Sequence, residues 1–189
     1  MSNSVVITSA CRTAVGSLGK SLKNISASEL GSTVISESIK RSKLKVDDVD
    51  EVIMGQVLTG GTGQNPARQA AINSGIPKEK PAYIVNQVCG SGIRSVVSGF
   101  QSIKAGDSKI LIAGGQESMS LAPHAIHLRD GKKLGDTDII DTLIKDGLWD
   151  AFNGYHMGVT AENVAIKFQV TRDQQDRFAL NSQKKALDA

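Results

Sequence analysis

The sequence predicts an α/β fold, a mixed sheet covered by helices, and three observations carry that reading. Short β-branched runs alternate with amphipathic stretches as far as Gly115. Nineteen glycines supply the tight turns and close backbone approaches that such alternation needs. Apolar content of 40% and charged content of 22% are those of an ordinary globular chain, and 189 residues suffice for a sizeable core.

Residues 5–9 (VVITS) read as the first strand, and residues 12–23, rich in Gly, Ser and Lys, as a loop. Ser26 and Glu29 form a capping box that opens a helix over 27–42, with Leu30, Val34, Ile35 and Ile39 at helical spacing. EVIMGQVL, residues 51–58, is the second strand. Asn65 caps the next helix, Pro66 takes its first position and Gly75 ends it. AYIVN at 82–86 is the third strand, 90–104 the third helix, and KILIA at 109–113 the fourth strand. Alternation of this kind builds a parallel or mixed sheet with helices over it, and leaves the strand order open.

After Gly115 the character changes. Residues 118–135 are irregular and carry Pro123, His124 and His127. Short helices are expected over 136–147 and 158–168. Thr171 and Gln174 form a second capping box, opening a helix with Phe178 and Leu180 that still runs at Ala189 with no Gly or Pro stop. The expected organisation is an α/β core over 1–118 and a helical, loop-rich domain over 119–189 that ends in mid-helix, as a fragment would.

Composition excludes several function classes. The net charge of +3 comes from scattered basic residues, and the densest cluster, Lys40, Arg41, Lys43 and Lys45, is the polar end of a helix. No basic stripe with interleaved aromatics is present, so a nucleic-acid face is not expected. The mild positive excess would not repel an anionic small molecule such as a phosphorylated cofactor. The two cysteines, Cys11 and Cys89, are too few and too far apart for a disulfide scaffold. His124 and His127 have no third or fourth ligand nearby, so no metal is expected. MSNSVVITSACRT lacks the basic start and apolar run of a signal peptide, and no stretch approaches about 18 consecutive apolar residues. The expected setting is reducing and cytoplasmic, with no membrane partner.

The segment AYIVNQVCGSGIRSVVSGFQSI concentrates chemistry at Cys89. A β-rich run leads into the cysteine, Gly90-Ser91-Gly92 follows, and then a helix, the logic of a nucleophile elbow. A helix N-terminus carries partial positive charge and free N–H groups, which favour a thiolate and can hold an oxyanion, here at Cys89 and Gly90. The alternative is a buried structural cysteine, as free cysteines often are. Cys11, at a strand end, reads as structural.

NQVCGSG resembles the acyl-accepting cysteine motif of the thiolase family, above all its acetyl-CoA acetyltransferase members. VVITSACRTAVGSLGKSL resembles the family's first strand and loop. GQNPARQAA, GGQESMS and DGLWDAFNGYHMGVTAENVA resemble further family blocks in the same order, so the resemblance covers essentially the whole chain. It implies the N-terminal half of a thiolase-like fold and part of its loop domain. It implies acyl transfer through an acyl-Cys89 intermediate, in which two acetyl-CoA become acetoacetyl-CoA or the reverse. Coenzyme A is then carried by the substrate rather than bound as a cofactor. Leu148, His156 and Met157 are implied to line the coenzyme A site, and 121–135 to contact other subunits of a homotetramer.

Family members are about twice this length. Their second half supplies a G-H-P histidine and a C-x-G-G-G cysteine, and neither motif occurs in these 189 residues. The implied reading is therefore the nucleophile half of a thiolase, unable to turn over alone. Alternatives are a non-catalytic thiolase remnant, a β-ketoacyl synthase relative, and a phosphate-loop protein. The last rests on residues 14–21 (AVGSLGKS), a relaxed phosphate-loop pattern whose following helix cap comes only at Ser26.

Overall fold

The computed structural model describes residues 4–188. The chain divides into two compact units, Met1–Gly147 and Leu148–Ala189.

In the first unit three parallel strands form the sheet: β1 (Glu51–Gly55), β2 (Ala82–Val85) and β3 (Leu111–Gly115), in the order β2-β1-β3. The register aligns Val52 with Ala82 and Ile112, and Met54 with Ile84 and Gly114. These residues face α1 (Ala27–Arg41) and α2 (Pro66–Asn73), and there they join Ile35, Ile39, Ala67, Ala70 and Ala71 in the core. Alternate residues point the other way. On that face Gly55 and Leu111 lie under α3 (Ser91–Ala105), against Ser91 and Gly99 respectively. Helices on both faces explain why β1 is buried from Val52 to Gly55 instead of alternating.

The helix ends follow the local signals. Ser26 and Glu29 make the expected capping box, with both reciprocal bonds present. Asn65 caps α2 by accepting from the Arg68 N–H at 3.1 Å. Gly75 and Gly106 close α2 and α3 at φ of 89° each, a region glycine enters without penalty.

Three expectations are corrected. Residues 5–9 form no strand, and Val6 and Ile7 are 71% and 79% exposed. A strand exists only by pairing, and this segment is set apart from β3 by a cavity of about 570 Å³ that α1 and α3 also line. The second strand ends at Gly55 rather than Leu58, because the Val57 and Leu58 N–H groups donate to Glu117 Oε2 at 2.8 and 3.3 Å. The helix expected over 136–147 is replaced by a short strand, β5 (Ile140–Asp141), and a π-helical turn, Leu143–Leu148; β5 pairs antiparallel with β4 (His124–Ala125). Asp141 Oδ1 accepts from the Leu143 N–H at 2.9 Å and starts that turn.

Residues beyond 118 group with the first unit as far as Gly147, whereas the sequence suggests a boundary at 118. The Ser118 hydroxyl donates to Ile25 O at 2.8 Å, and the Gly19 N–H donates to Ser120 Oγ at 3.0 Å. These bonds hold the start of the loop on the α/β core.

The face of α3 that meets the sheet is made of small residues, Ser91, Ser95 and Gly99. Its larger apolar residues Ile93, Val97 and Phe100 are exposed.

The second unit contains α4 (Met157–Lys167) and α5 (Arg172–Asp188). An isolated antiparallel bridge joins Trp149 to His156. Asp150 turns the chain between them, accepting from the Phe152 and Asn153 N–H groups and from Asn153 Nδ2. Those bonds, Asn153's first, hold its carboxyl below the usual carboxylate range. Thr171 and Gln174 cap α5 reciprocally, as expected. No helix among the described residues is long and apolar enough to cross a membrane.

Candidate active site

Cys89 lies in the turn between β2 and α3, exposed and unpaired in any disulfide. The preceding residue, Val88, sits at φ 48°. A β-branched residue in the left-handed region costs about 1–3 kcal/mol. Hydrogen bonds around it offset that cost, at about 1 kcal/mol each. Asn86 Oδ1 accepts from the Val88 N–H at 2.9 Å. The Ser91 hydroxyl donates to Val88 O at 2.6 Å and accepts from the Gln87 N–H at 2.8 Å. The Gly90 N–H donates to Gln87 O, and the Ser91 N–H to Val88 O, both at 3.0 Å. These bonds bracket Val88 on both sides.

Gly90 is the N-cap of α3, and Cys89 stands directly before it. Cys89 therefore adjoins the positive end of a 15-residue helix. The Gly90 N–H, expected as an oxyanion donor, is engaged by Gln87 O in this structure.

Close packing on the sheet fixes the first turn of α3. A Cβ built on Gly55 falls 2.4 Å from Ser91 C and 2.6 Å from Gly92 N, so β1 can meet α3 there only through a glycine. Ser95 Oγ lies 2.7 Å from both Gly92 O and Gly114 O, tying the helix to β3. Behind this seat Gln116 Nε2 donates to Gln56 Oε1 at 2.9 Å, and Gln56 Nε2 donates to Leu58 O at 3.0 Å.

Gly55 is not singled out by the sequence, and Asn86, Ser91, Gln116 and Glu117 fall inside the quoted blocks NQVCGSG and GGQESMS without a role assigned to them. Only Asn86 and Ser91 carry a local hint, as residues whose side chains bond nearby backbone in turns. The others act across sheet pairings that one sequence does not display.

The remaining expected residues lie at or near the start of the second unit. Leu148 ends the π-helical turn and is half-buried. His156 is the N-cap of α4, its Nδ1 accepting from the Gly158 N–H at 3.0 Å. Met157 follows as the first helical residue and is exposed. His124 Nε2 stands 3.9 Å from Asp141 Oδ2 across the β4–β5 pair. No group of three potential metal ligands occurs among the described residues. Cys11 packs on α1, its Sγ 3.0 Å from Ser38 Oγ and 3.2 Å from Val34 O. Residues 18–24 are a string of turns and the next helix starts at Ala27, so no helix N-terminus faces the phosphate-loop pattern at 14–21.

An exposed cysteine at the head of a helix, reached from the parallel edge strand β2, is the arrangement of a nucleophile elbow. Residues 5–189 match the family model for the thiolase N-terminal domain, and the chain belongs to the thiolase family. It is 59% identical to an acetyl-CoA acetyltransferase of Rhizobium meliloti (strain 1021), over 98% of this chain and 48% of that protein. It is 51% identical to the cytosolic acetyl-CoA acetyltransferase of Rattus norvegicus, over 100% of this chain and 47% of that protein. The crystal structure of Acat5 thiolase from Ascaris suum in complex with coenzyme A superposes with a TM-score of 0.88 at 39% identity, over 92% of this chain and 45% of that one. The chain spans about half the length of the curated relatives it matches.

Proposed function

We propose that the protein is a thiolase-type acyltransferase and that these residues carry its nucleophile. The observation that carries the reading is the exposed Cys89 thiol at the head of α3, within a chain of this family. The thiolate attacks the acetyl carbonyl of acetyl-CoA, a C–S bond forms to Cys89, and coenzyme A leaves as thiolate and takes up a proton. A second acetyl-CoA, deprotonated at its α-carbon, then attacks the acyl-enzyme to give acetoacetyl-CoA and the free cysteine. The helix end stabilises the charge that develops on the carbonyl oxygen. We assign the Cys89 N–H as a donor to that oxygen, since the Gly90 N–H is taken by Gln87 O.

Nothing in this chain matches the bases the family uses for the second step, so acylation of Cys89 is the part assigned to it. Leu148, His156 and Met157 are assigned to the pantetheine arm of coenzyme A. We assign the exposed apolar face of α3 and the cavity beside β3 as packing surfaces for the part of the relatives' length that these 189 residues do not span. Exposed Leu128 and Leu134 in the 121–135 segment support a homo-oligomer contact. A cytoplasmic location fits the cytosolic rat relative.

Single-turnover release of coenzyme A tests the acylation step. One equivalent of coenzyme A per chain, without acetoacetyl-CoA, is the expected result for residues 1–189. Failure to release it, or equal release by Cys89→Ala, contradicts the reading and leaves the non-catalytic remnant.

A further inference from the structure

We infer that Ser91 is a positioning residue for Cys89, acting through Val88; the inference rests on the acyl-transfer reading above. Four non-glycine residues among those described have positive φ: Lys43, Asn65, Val88 and Gln169. Val88 alone of them is β-branched, so it has the strongest tendency to return to the β region. That return would rotate the next peptide and carry the Cys89 thiol away from the head of α3.

Ser91 is placed to prevent it. Its hydroxyl holds the chain on both sides of the strained residue, donating to the carbonyl of Val88 and accepting from the N–H of Gln87. The residue is 3% exposed, so water does not substitute for the hydroxyl. Its position is fixed in turn, because Gly55 brings β1 against the Ser91 backbone. Asn86 adds one restraint on the Val88 N–H, but it is exposed and grips one side only. Both Ser91 hydroxyl bonds go to main chain, so its influence reaches the thiol through backbone geometry.

The test is the rate of iodoacetamide alkylation at Cys89, with Cys11 of the same molecule as internal reference, read by peptide mass. Ser91→Ala is expected to lower the Cys89 to Cys11 rate ratio on the order of tenfold, as the thiol leaves the helix end. Val88→Gly removes the strain, because glycine adopts positive φ freely. The double variant Val88→Gly/Ser91→Ala should therefore regain most of the lost ratio. A merely structural loss at Ser91 would expose Cys11 as well and would not be rescued by a second substitution. An unchanged ratio in Ser91→Ala, or a double variant no faster than Ser91→Ala, overturns the inference. If Ser91→Ala does not fold, Val88→Gly is compared with the double variant: equal ratios support the inference and unequal ratios refute it. The assay uses no acyl-CoA. A rescued cycle in a protein that takes no acetyl group would sink the acyl-transfer reading and leave the Ser91 effect standing.

Discussion

Gly55→Ala is the sharpest probe of how the sheet sets the nucleophile. The added methyl would sit 2.4 Å from Ser91 C and 2.6 Å from both Gly92 N and Ser91 O. All three are main-chain atoms, so no side chain can swing aside. Ordinary contact begins at 3.4 Å, and 3.4 minus 2.4 leaves about 1 Å for α3 and β1 to move apart. Forcing that shift in a packed interior costs about 1–3 kcal/mol. The same displacement at a reacting group can cost about 100-fold in rate. Urea unfolding followed by circular dichroism measures the first effect, and iodoacetamide alkylation of Cys89 the second. Gly114→Ala is the control, since its methyl would meet only Met54 Sδ at 3.7 Å and Cε at 3.8 Å. The expected result is a lower urea midpoint and slower Cys89 alkylation in Gly55→Ala, with Gly114→Ala close to wild type. A Gly55→Ala chain with unchanged midpoint and unchanged Cys89 rate refutes the claim that this contact seats the helix.

Asp50 joins β1 to β3 by accepting from the Lys109 and Ile110 N–H groups at 2.8 and 3.1 Å. Those bonds, Lys109's first and with Lys80 adding, hold its carboxyl below the ordinary value of 3.8. Because the folded value is the lower one, its stabilisation is complete above 3.8 and is lost as pH falls through the folded value. Asp50→Asn should cost about 1 kcal/mol at neutral pH, a figure discounted for exposure, and the gap from wild type should close in acid urea titrations. Ile53→Ala empties a fully buried site under α3 and should cost about 2–5 kcal/mol by the same unfolding assay. Gly31→Ala drives a methyl to 1.9 Å from Gln116 Oε1, whose amide is already fixed by Gln56, and should destabilise by about 1–3 kcal/mol; a neutral result would show that Gln116 can swing free.

Local signals in the sequence locate most of the first unit. The two capping boxes, the Asn65-Pro66 start and the Gly75 stop act within four residues of chain, and each appears where expected. Failures arise where a distant partner decides. VVITS has the composition of a strand, but its status depends on an edge to pair with, and that partner is not given by propensity. Val57 and Leu58 look like strand continuation until Glu117, sixty residues away, claims their N–H groups. Asp141 replaces an expected helix with a turn by bonding its own neighbours. At the site, the position of Cys89 before a glycine-rich helix start is legible. The left-handed Val88 and the hydroxyl that brackets it are not, because valine is among the residues least expected there.

The acyl-transfer role assigned to the elbow depends on Cys89 accepting an acetyl group. Peptide mapping of the chain after incubation with acetyl-CoA reads that step on the residue itself. The expected result is one acetyl group, borne as a thioester on the peptide containing Cys89, and none there in Cys89→Ala. An acetyl group found only on lysine or on Cys11, or no acetyl group on folded chain, would contradict the assignment.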